Sequence, residues 1–104
     1  MTNFYDHDGN PLTLMEWAEM FEEDYPKNIR VQRTDIPSAG VWVSTVWNGF
    51  DAGYTSHWPD GPDAIFETAV FRGDREISRE HHFTKPGALR RHAEIVSDYR
   101  DRTM

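Results

Sequence analysis

The chain contains no cysteine, which excludes disulfides, thiolate metal sites and cysteine nucleophiles together. It also lacks any apolar run near the roughly 20 residues that a membrane-spanning helix needs. Its opening, MTNFYDHDGNP, has neither a basic start nor an apolar stretch, so it does not read as a secretory signal. These absences predict a cytoplasmic protein with no membrane partner. Positive charge is missing from the front of the chain. Residues 1–25 hold seven acidic residues and no Lys or Arg, whereas residues 72–104 hold eight basic and six acidic residues. With a net charge of −7 and no basic stripe, direct nucleic-acid binding is not expected.

What is present suits one small domain spanning residues 1–104. That length is common for a single core and too short for two. Four Trp, four Tyr and six Phe supply large buried areas for that core.

The elements follow from periodicity and punctuation. Asn3–Tyr5 reads as a short strand closed by the turn Asp8-Gly9-Asn10-Pro11. Thr13 and Glu16 have the spacing of a capping box. The helix behind them carries Leu14, Trp17, Ala18, Phe21 and Tyr25 as an apolar stripe and stops before Pro26. Ile29–Asp35 and Val41–Trp47 read as two strands joined by the turn Pro37–Gly40, hence a hairpin. Ala64–Phe71 is a third strand of this kind, and Glu76–Phe83 pairs back through Gly73-Asp74. Thr84 and Pro86 then open a final helix, with Leu89, His92, Ala93, Val96 and Tyr99 as its inner stripe and Arg100 and Arg102 at its C-terminal end. The order β-α-β-β-loop-β-β-α predicts an α+β two-layer sandwich. An antiparallel sheet of four or five strands carries both helices on one face.

Few chemistries survive this reading. His7, His57, His81 and His82 have no recognised ligand spacing, and His81 and His82 point to opposite faces of a strand. They are expected to be solvated surface residues, with no metal and no cofactor. His92, on the apolar stripe, reads as a half-buried packing residue whose hydrogen bonds are satisfied. Glu67, in mid-strand, would be a candidate base if it faced a cleft. The plainer reading pairs it with Arg33 or another basic residue across the sheet, or leaves it exposed on the open sheet face. Ser44 and Thr45 lack a nucleophile's strand-turn-helix setting, and Gly49 and Gly53 open no phosphate-binding helix. No catalytic residue is therefore expected.

The segment 48–63 is different. It holds three Gly, two Pro and three Asp among Phe50, Tyr54 and Trp58, without a clear period. A loop of this length in a small domain is usually functional, and Tyr and Trp are favoured interface anchors. Phe50, Tyr54 and Trp58 are thus expected to anchor a protein partner, with Asp51 orienting it. The competing reading folds the loop back to cap the sheet's second face. Trp42, on the face opposite Val41 and Val43, needs covering by that loop or by another chain.

Three stretches resemble a known group. Tyr5-Asp6, Gly9-Asn10-Pro11 and Glu16-Trp17-Ala18 resemble the opening of a family of small uncharacterised proteins of actinobacteria and their phages. Val43–Trp47 with Gly49 and Asp51, and Ile65–Thr68 with Val70-Phe71, resemble its central strands, and Ala88-Leu89 with His92-Ala93 its last helix. The family's central motif often has a His after its Asp; here Ala52 stands there. The resemblance implies a phage accessory protein working in a host cytoplasm, and it carries no activity.

The expectation is a binding module that engages a host protein through its sheet face and the 48–63 loop. Two other readings stand beside it. Glu16, Glu19 and Glu23 recur at helical spacing and could mimic DNA phosphates toward a DNA-binding or defence protein. A small enzyme could use Glu67 with a histidine. Pairing of the sheet with its own copy, giving a homodimer, is a further route to association.

Overall fold

The structure, a computed structural model, describes residues 4–23, 29–50 and 64–102. Val41–Trp47 (β4) organises it, because its residues alternate strictly between buried and half-buried positions. Val41, Val43, Thr45 and Trp47 point to one side of the sheet and Trp42, Ser44 and Val46 to the other, as the two-residue strand repeat requires. β4 pairs antiparallel with Arg30–Ile36 (β3) and with Phe66–Arg72 (β5), and β5 pairs with Arg75–His82 (β6). The sheet order is β3-β4-β5-β6, an up-and-down meander. Its links are short. A 3-10 turn at Pro37–Ala39 ends on left-handed Gly40 between β3 and β4. Gly73, with φ of 63°, turns β5 into β6 in a two-residue hairpin loop, where glycine accepts positive φ without penalty.

Ahead of this sheet stands a hairpin of Phe4–Tyr5 (β1) and Pro11–Leu12 (β2), followed by Leu14–Glu23 (α1). The chain closes with Lys85–Arg102 (α2). The fold is therefore α+β, with the predicted capping chemistry in place. Thr13 Oγ1 accepts from the Glu16 N–H at 3.1 Å, while Glu16 Oε1 accepts from the Thr13 N–H at 2.9 Å. Thr84 Oγ1 accepts from the Gly87 N–H at 3.1 Å and so caps α2.

The core lies between α2 and the 41/43/45/47 side of the sheet, in two clusters. Ile36, Val41, Val43 and Val70 meet Ile95 and Val96 of α2. Trp47, Ile65, Phe66 and Ala88 form the second, and Tyr5, Leu12, Trp17, Met20 and Val31 pack against it. The β1–β2 hairpin and α1 thus join the same side at its Trp47 end. Their attachment runs through Asn48 and Gly49. The Trp17 indole N–H donates to the Asn48 carbonyl at 2.8 Å, the Tyr5 N–H to the Gly49 carbonyl at 2.7 Å, and the Trp47 indole N–H to the Tyr5 carbonyl at 3.0 Å.

Several expectations are corrected. The first strand does not enter the main sheet, since β2, two residues long and too short for a periodic signal, pairs with it instead. Leu14 is 60% exposed, because α1 turns Trp17 and Met20 inward. On α2, Ala93 is exposed and Ala88 and Ile95 are buried. The small Ala88 lets the helix approach Trp47 and Phe66 closely. His7 is half-buried, its ring 5.0 Å from that of Trp47, and His81 and His82 are likewise half-buried. Tyr25, Pro26 and His57 lie outside the described residues.

Candidate interaction surface

Both edge strands are blunted. β3 is irregular between Arg30 and Gln32, and β6 between Glu76 and Ser78, opposite Val70 and Phe71. Each edge also carries charged side chains at most of its outward positions. Bulges and charge are the usual means by which a sheet discourages pairing through its edges. The surface left for a partner is the face that neither helix covers among the described residues.

Strand register assembles that face. Trp42 and Phe71 are direct cross-strand partners, and their rings stack with centroids 4.2 Å apart and planes 13° from parallel. Arg33, on β3, places its guanidinium carbon 4.1 Å from the centre of the Trp42 ring, a cation–π distance. The Trp42 indole N–H donates to the Gly73 carbonyl at 3.0 Å, fixing the ring edge. Both rings remain half-buried.

Polar groups surround this platform and pair with one another, leaving a small acidic excess. Arg33 pairs with Asp35 at 3.1 Å. Glu67 lies 3.7 Å from the Arg79 guanidinium and 3.5 Å from His81 Nδ1, and Arg79 also binds Glu76. The exposed Arg33–Asp35 pair contributes little stability, of order 0–1 kcal/mol. The larger effect of these pairs is on the surface itself: it presents aromatic area inside a rim without a dominant charge.

The sequence candidates sort clearly. Glu67 is held in a cross-strand ion pair, as the plainer reading had it, with Arg79 in the place suggested for Arg33. The same register brings Glu67 beside His81, a carboxylate–imidazole pair that the sequence did not specify. Register also separates His81, opposite Glu67, from His82, opposite Phe66. Glu16 is engaged in the α1 cap, and Glu19 is exposed, so the acidic row is not a free line of three carboxylates. Phe50 is half-buried, its backbone bridged to Phe4 and its ring edge-on to Phe4 and Trp17. Asp51, Tyr54 and Trp58 lie outside the described residues. Among the described residues, no group of three or more His, Asp or Glu side chains is arranged to hold a metal ion. No described helix is long and apolar enough to cross a membrane.

Two cavities lie along α2 beside β6. One, of about 370 Å³, is lined by His82, Thr84, Arg90 and Arg91 among others. The other, of about 280 Å³, is lined by Val70, Ile95, Glu80 and Tyr99 among others. Arg91 borders both and donates to both Glu80 oxygens at 3.1 Å. Burial pushes the His82 imidazole below its ordinary pKa, with the nearby Glu80 carboxylate opposing that shift.

The chain matches no protein-family model, no curated protein and no solved structure.

Proposed function

We propose that this protein is a binding module that engages a folded protein through the face of its sheet that α1 and α2 leave uncovered. The observation that carries the reading is the Arg33–Trp42–Phe71 stack, half-exposed on a face that neither helix covers. Aromatic side chains and Arg are the residue types that dominate interface energetics. The pairing of charges within the rim defines the partner's chemistry. Arg33–Asp35 and Arg79 with Glu67 and Glu76 leave no strong local charge to satisfy, so the partner presents apolar side chains within a mixed polar border. A polyanion would gain little here, in keeping with the chain's charge of −7. The resemblance to phage accessory proteins supports a host protein as that partner, with action in the host cytoplasm.

The test is affinity capture from nuclease-treated actinobacterial lysate with wild type, Trp42→Ala/Phe71→Ala and Glu16→Gln/Glu19→Gln, each first shown to be folded by circular dichroism. The reading requires a protein retained by wild type and the Gln variant and lost by the Ala variant. Loss with the Gln variant and with rising salt instead would support the acidic mimic. Retention by wild type and both variants would refute the sheet-face assignment.

A further inference from the structure

Among the described residues, His92 is the one histidine that is buried completely, at 1% exposure. Both of its ring nitrogens are satisfied. Nε2 is 2.9 Å from Thr34 Oγ1 on β3, and Nδ1 is 2.8 Å from Thr45 Oγ1 on β4. Thr45 Oγ1 is in turn 2.7 Å from Thr68 Oγ1 on β5. One α2 side chain therefore ties the helix to three strands through a chain of hydroxyls. The imidazole lies on the helix face that carries Ala88, Ile95 and Val96 into the two core clusters.

We propose that His92 is an acid-sensitive latch holding α2 on the sheet: neutral it is a satisfied core residue, and protonated it becomes an uncompensated buried charge. The hydrogen bonds themselves could survive protonation. Both nitrogens would donate, Thr34 and Thr45 would accept, and Thr45 would donate its own O–H to Thr68, since hydroxyls rotate to suit. What the site lacks is an opposing charge. The groups facing the ring from β3, β4 and β5 are the neutral Thr34, Thr45 and Thr68. On β6 the residues on the same side are Ser78, Glu80 and His82, by their register with Val70, Thr68 and Phe66, and Glu80 is already bonded to Arg91. On α2 the charged neighbours are Arg91 and Glu94, which pair with each other. Burial accordingly pushes the His92 pKa below its ordinary value, with nothing charged to offset it.

The direction of the response follows. An opened chain takes up a proton below about pH 6.5, the ordinary histidine value, while latched His92 resists it. The latch is at full strength above that pH and weakens as pH falls toward the lowered pKa. One proton taken up on opening reduces the closed-to-open ratio by about tenfold per pH unit within that window. His82 is shifted the same way, so it adds its own acid response and has to be separated from that of His92.

The experiment is hydrogen exchange of the α2 amides between pH 7.5 and 5, corrected for intrinsic exchange, on wild type, His92→Gln and His82→Gln. The proposal expects log protection in α2 to fall more steeply with acid in wild type than in His92→Gln, the slopes differing by up to about one per pH unit below about pH 6.5. His82→Gln should keep the His92 part of the slope. Equal slopes in wild type and His92→Gln would overturn the proposal. Should His92→Gln fail to fold, the ¹⁵N shifts of the wild-type His92 ring decide. A ring that stays neutral below pH 6 while α2 loses protection supports the latch, and one that titrates near 6.5 with α2 protection unchanged refutes it.

Discussion

Gly49 is where the N-terminal hairpin and α1 are fastened to the sheet, and replacing it tests that packing directly. Its backbone is left-handed, with φ of 79°. A Cβ built there would sit 2.6 Å from Trp17 Cδ1 and Nε1 and 2.7 Å from Trp47 Cζ2. Two costs then add in Gly49→Ala. Left-handed backbone in an L-residue costs about 1–2 kcal/mol, and overpacking a filled core costs about 1–3 kcal/mol. Neither ring can move freely, because the Trp17 N–H is bonded to the Asn48 carbonyl and the Trp47 N–H to the Tyr5 carbonyl. Gly40 and Gly73 are internal controls. They share the positive φ, but nothing lies within 4 Å of the Cβ positions built on them. Gly40→Ala and Gly73→Ala should therefore lose about 1–2 kcal/mol, and Gly49→Ala about 2–5 kcal/mol, a large part of the stability of a small domain. Urea unfolding followed by tryptophan fluorescence and circular dichroism gives the three values. If Gly49→Ala lies within about 0.5 kcal/mol of the two controls, a typical additivity error, the close approach of the two rings is wrong.

Two further substitutions probe the polar devices. Thr13→Ala removes one half of the α1 capping box and should cost about 0.5–2 kcal/mol in the same denaturation assay, while Thr13→Ser should restore most of it. Thr45→Val keeps the shape of the strand residue but leaves His92 Nδ1 and Thr68 Oγ1 without their shared partner. It should cost about 1–3 kcal/mol, more than Ser44→Ala on the opposite side of β4, and equal losses would remove the hydroxyl chain from the account.

Much of this architecture is legible locally. β4 was expected at Val41–Trp47 and is found there, because alternating β-branched and aromatic residues between two turns allow little else. The two threonine caps are legible for the same reason, as their spacing is itself the chemistry. What escapes local reading is set at long range. Thr34 and Thr45 lie 58 and 47 positions from His92, and only strand register and helix docking bring them together. Threonines at positions 45 and 68, on the otherwise apolar inward faces of β4 and β5, are the available signal for a buried polar partner. The Arg33–Trp42–Phe71 stack is of the same kind, since it needs three strands in register. Trp42 alone announced that its face required explanation. The orientation of α1 escaped because Leu14 and Trp17 share one helical stripe, and the Gly49 junction selects Trp17. For the loop anchors, only Phe50 of the four expected residues is described, and it packs toward Phe4 and Trp17.

The most direct test of the central claim is hydroxyl-radical footprinting of the captured complex, reading side-chain oxidation by mass spectrometry. Met15, 72% exposed on α1, serves as the reference away from the sheet's open face. The account predicts that oxidation of Trp42 and Phe71 falls on complex formation while that of Met15 does not change. Trp42 and Phe71 remaining as reactive as in the free protein, with protection appearing at Met15 instead, would contradict it.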